Sequence, residues 1–104
     1  MDEREWATVA VEALARGESV QMRPRGHSMR GRIDDGSLVT LAPCRADELA
    51  VGDIVLASVR GWLLVLHQVV GVEPGRFQIG TAAGRSDGWV SAADIFGRVV
   101  GVAE

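Results

Sequence analysis

The hydrophobic pattern of the chain changes once, at Arg16-Gly17. Before that point the apolar residues recur at i, i+3, i+4, i+7 and i+8, the spacing of one helix face. They are Trp6, Val9, Ala10, Ala13 and Leu14. The pattern predicts a helix over residues 2–16, capped by Asp2 and ended by Gly17. No helical pattern of this length follows, so one helix is expected to precede a domain of another kind.

Short runs of β-branched and apolar residues, separated by turns that contain glycine, fill the rest of the chain. The predicted strands are 19–23, 37–42, 54–59, 62–72, 77–80 and 96–102, with a polar loop at 81–88 and one helical turn at 91–95. This order predicts a mainly β fold, a compact antiparallel β domain with one N-terminal α-helix. The 104 residues fit a single domain, with residues 1–17 as the leading helix and 18–104 as the β core.

The residue types that are missing limit the chemistry. There is no lysine, and all 11 basic residues are arginine, so a Ser-Lys mechanism within this chain is excluded. A net charge of −3 argues against a nucleic-acid partner. The two histidines and one cysteine lack the spacing of metal ligands, and no glycine-rich phosphate loop opens a helix. Neither a metal nor another cofactor is therefore predicted.

The sequence also bears on where the protein resides. Cys44 has no second cysteine to pair with, which suits a reducing compartment, and it is interpreted as a half-buried residue near a strand end. There is no apolar run of about 18 residues. The N-terminus is acidic where a signal peptide would be basic and then apolar. A soluble, cytoplasmic protein without a membrane anchor in this chain is expected. Its oligomeric state is left open, with a homo-oligomer as one alternative.

Ser28 is the first candidate for chemistry. It lies in a turn after the first predicted strand, where Pro24 fixes the backbone and Gly26 frees it. Such a turn presents a hydroxyl at the surface. A serine beside a glycine is also a common turn residue, and a hydroxyl becomes a nucleophile only when a base takes its proton. The adjacent His27 is a weak candidate for that base because neighbouring side chains on an extended chain point apart.

His67 is the better candidate for the base. Strand alternation gives it apolar neighbours on its own face, which also fits an ordinary core histidine. Asp87 and Asp94 are candidates for the carboxylate that would orient it, although the first is also a turn former and the second a surface charge. Four arginines surround Ser28, and they either recognise an acidic peptide or form a solvated rim; they are Arg23, Arg25, Arg30 and Arg32.

Five short motifs in order resemble the superfamily of signal peptidase I and LexA-type repressor peptidases. They are Gly26-His27-Ser28-Met29, which looks like the Gly-x-Ser-Met nucleophile box, and residues 33–39, 51–55, 66–70 and 95–100. Together they span roughly residues 18–102. Most bacterial members have lysine as the base, and this chain has His67 at the matching position. It therefore resembles the archaeal, endoplasmic-reticulum and sporulation-type branch, in which serine and histidine work with an acidic residue.

The resemblance implies a LexA/signal peptidase type of fold and a small soluble serine endopeptidase that cleaves an extended peptide or protein in trans. It implies Ser28 as the nucleophile, His67 as the general base and Asp87 as the acid. The turn at Gly26 and Ser28 would hold the oxyanion, with the backbone N–H of Ser28 as donor. The edge at residues 19–23 would accept the substrate as an added strand. The implied substrate-binding residues are Val20, Met22 and Met29.

Three positions depart from the family pattern. Gly31 stands where proline is usual, Gln68 where an arginine follows the base, and Thr81 where an aspartate follows Gly80. These departures motivate two alternatives. One is a catalytically inactive peptide-binding or regulatory module on the same fold. The other is a plain structural β domain, in which the motifs serve only turns.

Overall fold

A computed structural model describes the backbone of residues 3–104 and the side chains from Trp6 onward. Helix α1 spans Glu3–Ala15, so the predicted cap at Asp2 lies outside the described residues. The strands are β1 (Val20–Met22), β2 (Leu38–Ala42), β3 (Ile54–Val59), β4 (Leu63–Glu73), β5 (Arg76–Gly80), β6 (Ser86–Ser91) and β7 (Ile95–Ala103). Two single 3₁₀ turns lie at Ala46–Glu48 and Ala92–Asp94. The prediction of a mainly antiparallel β domain with one N-terminal helix is confirmed.

The seven strands form one antiparallel sheet in the order β1-β2-β7-β3-β4-β5-β6. Strands β3 to β6 are neighbours in sequence as well as in space, whereas β7 inserts between β2 and β3. Strands β1 and β6 therefore form the two edges of the sheet. The candidate base lies on β4, well inside the sheet, and the candidate acid lies on the β6 edge.

Both faces of the sheet are covered. In β3, Ile54 and Leu56 belong to a core that includes α1, and Val55 and Ala57 belong to a core on the opposite face. Because successive strand residues point to opposite faces, one strand contributes to both cores. Burial of a large aliphatic side chain such as the fully buried Leu56 stabilises the fold by about 1.5–3 kcal/mol.

Helix α1 packs closely on β7 through small residues. Ala7 is buried and Val9 is 50% exposed, so the predicted stripe was wrong in its second member. Ala7 shares the buried face with Ala10 and Leu14 at i, i+3 and i+7, so the buried stripe is rotated toward Ala7 and Val9 lies at its exposed edge. Gly97 on β7 makes room for the helix: a Cβ there would lie 2.8 Å from Cδ1 of Leu14.

Strand β6 was not predicted, since residues 81–88 were interpreted as a polar loop. The register explains why. Gly80 pairs with Ser86 and Ile79 pairs with Gly88, so Asp87 is the extra residue of a β-bulge. Gly88 has a φ of +96°, a conformation that glycine adopts readily. A bulge built from Ser-Asp-Gly looks like a turn in sequence, because main-chain pairing rather than apolar alternation holds it in the sheet.

Candidate active site

The turn that carries Ser28 is held in place by buried side chains and by hydrogen bonds. Met29 and Ile33 are 4% and 5% exposed, and the Ile33 N–H donates to the Met29 carbonyl (2.7 Å). Gly26 has a φ of +123°, and its N–H donates to Oδ1 of Asp35 (3.1 Å). The buried anchors and the Asp35 bond fix the backbone on both sides of Ser28. Ser28 itself is exposed, with its hydroxyl in a turn outside any strand.

His67 is paired with Asp87. Nδ1 of His67 lies 2.6 Å from Oδ2 of Asp87, and the two side chains are 12% and 10% exposed. An ionised carboxylate can only accept, so Nδ1 donates the proton of this bond, and in the neutral imidazole the lone pair is then on Nε2. Asp94, the other candidate acid, instead accepts from the backbone N–H of Ser91 (3.0 Å). The arrangement orients the ring and leaves Nε2 free to take a proton.

The bulge at Asp87 allows this pair to form. Strand β5 separates β4 from β6, so the two side chains have to meet across one intervening strand. A bulge bends its strand and redirects a side chain from the direction that strict alternation would give. Gly80, the β5 residue opposite Ser86, also lacks a side chain; a Cβ there would lie 2.9 Å from the Arg85 carbonyl oxygen. The strands approach closely at this point because of that glycine.

Ser28 and His67 line one cavity of about 190 Å³, which we call the Ser28 cavity. Its other walls include Trp6 of α1 and residues 64–66 of β4, which are apolar. Within residues 3–104, no direct hydrogen bond joins the Ser28 hydroxyl to His67, and the Ser28 N–H has no partner. The site therefore holds a presented hydroxyl, an oriented imidazole and an unused backbone donor around a common space.

A chain of hydrogen bonds links the strand of His67 to the backbone of Ser28. The Arg32 guanidinium donates to Oε1 of Gln68 (2.8 Å), and Nε2 of Gln68 donates to the Thr81 carbonyl (3.1 Å). The next residue, Ala82, donates its N–H to the Ser28 carbonyl (3.0 Å). Gln68 and Thr81, two of the departures from the family pattern, thus belong to a connected set of contacts.

Sequence reasoning missed this connection. Arg32 was noted only for its charge, and Gln68 and Thr81 only as replacements. Arg32 and Gln68 are 36 residues apart, so no local pattern brings them together. Thr81 is 8% exposed, and its Oγ1 accepts from the Arg85 N–H (3.1 Å). A buried threonine that closes a loop in this way is recognised only from the folded structure.

The predicted substrate-binding residues lie in two places. Val20 and Met22 lie on β1, which pairs with β2 and has no second neighbour among the described strands. Both line a groove of about 440 Å³ between β1 and α1, and Trp6 lines this groove and the Ser28 cavity. Met29 belongs to the core and also forms part of the cavity wall. Trp6 therefore borders both the groove beside β1 and the Ser28 cavity.

Other features of the described residues bear on alternative chemistry. Burial raises the pKa of the Cys44 thiol, so Cys44 is not an activated nucleophile. In the part of the chain that the structure describes, no three His, Cys, Asp or Glu side chains converge as metal ligands would. No helix within that part is long and apolar enough to cross a membrane.

The sequence matches no protein-family model, and no curated protein is similar to it at a significant level. The function therefore has to be argued from the geometry and chemistry of the site.

Proposed function

We propose that the protein is a small serine endopeptidase of the signal peptidase I and LexA superfamily, resembling its Ser-His branch, which cleaves an extended peptide in trans. The observation that carries the proposal is the pair formed by His67 and Asp87, 2.6 Å apart and largely buried, beside the cavity that Ser28 also lines. A carboxylate on Nδ1 is what a histidine needs in order to act as a base through Nε2.

The proposed reaction follows from these groups. Oγ of Ser28 attacks the peptide carbonyl carbon while Nε2 of His67 takes the hydroxyl proton, and the Asp87 carboxylate stabilises the imidazolium. The Ser28 N–H donates to the oxyanion. The imidazolium then protonates the leaving amine as the C–N bond breaks. Water, deprotonated by His67, hydrolyses the resulting ester and regenerates the Ser28 hydroxyl.

The edge strand supplies a route for the substrate. The free edge of β1 offers main-chain donors and acceptors to an extended peptide, which would add as an eighth strand. Val20 and Met22 line the groove beside this edge, and Trp6 borders both this groove and the Ser28 cavity. A peptide bound along β1 would present its scissile bond to Ser28.

The test is covalent labelling with a serine-directed fluorophosphonate at pH 8, followed by peptide mapping. We expect labelling at Ser28, none in Ser28→Ala, and a rate reduced about 100- to 10,000-fold in His67→Ala. Asp87→Asn should also lose most of the rate, because an amide that donates to Nδ1 would leave the proton on Nε2. His27→Ala is the matched control: His27 is exposed, and its Nδ1 lies 3.2 Å from Nη2 of Arg30. Equal labelling of the protein and Ser28→Ala would refute the proposal.

One observation favours a second candidate, a peptide-binding module without turnover. In the described structure no hydrogen bond joins the Ser28 hydroxyl to His67. Catalytic hydrogen bonds often tighten only when substrate binds, so this observation does not by itself separate the candidates. The same experiment does. A module would bind an extended peptide along β1 and leave Ser28 unlabelled.

A further inference from the structure

Arg25 differs from the other three arginines around Ser28. Those three are held by contacts within the fold: Arg23 donates to the Gly36 carbonyl (2.7 Å), Arg30 lies against His27 (3.2 Å) and Arg32 donates to Gln68 (2.8 Å). Arg25 is exposed, and among the described residues its guanidinium has no hydrogen-bond or ion-pair partner. Three of the four cations are therefore explained by the fold, and one is not.

The position of Arg25 is as informative as its lack of a partner. It lines the Ser28 cavity, whose walls at Trp6 and residues 64–66 are apolar. The other charged or titratable lining residue is His67, which is already paired with Asp87. Arg25 thus brings to the wall of the candidate site a positive charge that no described side chain pairs, in a protein whose net charge is −3.

The acids nearest to Arg25 along the chain, which are Glu18, Asp34 and Asp35, do not neutralise it. Glu18 forms its ion pair with Arg16 instead (2.7 Å). Asp35 accepts the N–H of Gly26 through Oδ1 (3.1 Å), and it forms no ion pair with Arg25. Asp34 accepts the N–H of Gly31 (3.0 Å) in the same way. Both carboxylates hold turn backbone, so the guanidinium remains available to a ligand.

We propose that Arg25 makes the site selective for peptides that carry a carboxylate beside the scissile bond. This inference rests on the proposed peptidase function. An exposed arginine is well solvated on its own, but a peptide that fills the cavity excludes water from it. The guanidinium then becomes a bidentate, charge-assisted donor, for which a carboxylate is the complementary group. A cavity of about 190 Å³ has room for little more than the residues flanking the cleaved bond.

The carboxylate has two sources, an Asp or Glu side chain or the free C-terminus of a short peptide. The first source is tested with alanine-rich, internally quenched peptides whose C-terminus is amidated. Each peptide carries one glutamate at a different position around the scissile bond, and each is compared with the same peptide carrying glutamine at that position. The same peptides with a free C-terminus test the second. We expect kcat/KM to favour the carboxylate by on the order of 10- to 100-fold at one position or at the terminus.

Substitution identifies the residue responsible. In Arg25→Gln the ratio of carboxylate to amide peptide should fall to about one, and Arg25→Glu should prefer lysine-containing peptides instead. Arg60→Gln is the matched control, because Arg60 is also exposed and unpartnered among the described residues but does not line the Ser28 cavity. It should keep the full ratio. Equal rates on both peptides in the unaltered protein, or a preference that survives Arg25→Gln, would overturn the inference.

Binding separates this inference from the proposed function. The same peptides, labelled for fluorescence anisotropy, are titrated against Ser28→Ala and against Ser28→Ala combined with Arg25→Gln. A carboxylate preference in the first variant that disappears in the second supports the role of Arg25 even if the protein cleaves nothing. Cleavage without any carboxylate preference would support the proposed peptidase function and refute the proposed role of Arg25.

Discussion

Gln68 is the residue whose replacement tests whether Ser28 and His67 are held together through the segment after β5. Gln68→Ala removes the bond from Arg32 (2.8 Å) and the bond to the Thr81 carbonyl (3.1 Å). Each such bond contributes about 0.5–1.5 kcal/mol net. Neither partner is left without a hydrogen bond, because Arg32 still donates to the Gly52 carbonyl (2.6 Å) and the Thr81 carbonyl still accepts from the Gly84 N–H (3.0 Å). We therefore expect the free energy of unfolding to fall by about 1–3 kcal/mol, which lowers Tm by about 4–24 °C.

The second readout is the rate of fluorophosphonate labelling at Ser28, measured well below the unfolding temperature. Because the Thr81-Ala82 segment holds the Ser28 carbonyl, loosening it should slow labelling by up to about tenfold. Arg45→Ala is the control, since the Arg45 side chain makes one exposed bond to Oδ2 of Asp47 (2.8 Å) and lines neither the Ser28 cavity nor the groove beside β1. The free energy of unfolding of this control should fall by less than about 1 kcal/mol, and its Ser28 should be labelled at the normal rate.

Gln68→Glu separates the two halves of the connection. Glutamate keeps the acceptor for Arg32 and loses the donor to Thr81. If the Thr81 bond carries the effect, Gln68→Glu slows labelling as much as Gln68→Ala does. Normal labelling in both variants, alongside a lowered Tm, would show that Gln68 stabilises the fold without positioning Ser28, and would refute the reasoning.

Three further predictions concern packing and ionisation. Gly97→Ala should lower the free energy of unfolding, measured by urea titration, by about 1–3 kcal/mol, because a Cβ there would lie 2.8 Å from Leu14. Gly101→Ala is the control on the same strand, because the nearest atom to a Cβ there is 3.8 Å away. Equal effects of the two substitutions would contradict the packing argument. Since burial raises the pKa of the Cys44 thiol, iodoacetamide at pH 8 should alkylate the folded protein more slowly than the urea-unfolded chain, and equal rates would contradict this. The unfolded thiol loses its proton first as pH rises, so Cys44 should favour unfolding slightly in alkaline solution.

The sequence predicted those elements whose pattern is set by burial. The predicted strand at 54–59 matches β3, because nearly every residue of it is buried and its ends are marked by turns. Val9 was misassigned because it lies at the edge of the apolar stripe, where periodicity does not specify which side is buried. Strand β6 was missed because its polar start is held by main-chain pairing. Local patterns are least informative at bulges and close packing contacts, and Asp87 lies at such a bulge.

The candidate site was predictable in its residue types but not in its connections. With no lysine in the chain, His67 was the remaining base for Ser28, and Asp-Gly at Asp87-Gly88 drew attention as a turn. The distance between His67 and Asp87 depends on how three strands pair and on one bulge. The bond from Arg32 to Gln68 depends on two segments 36 residues apart in sequence. Such contacts are set by tertiary structure, so single-sequence patterns carry no signal for them.

The loop between β5 and β6, residues 81–85, touches each part of the candidate site. Its Thr81 carbonyl is bound by Gln68, the residue after His67, and its Ala82 N–H binds the Ser28 carbonyl. It leads directly into the bulge that carries Asp87. The loop is closed on itself, because the Thr81 N–H donates to the Arg85 carbonyl (2.8 Å). A change in this loop should therefore alter the relative positions of nucleophile, base and acid together.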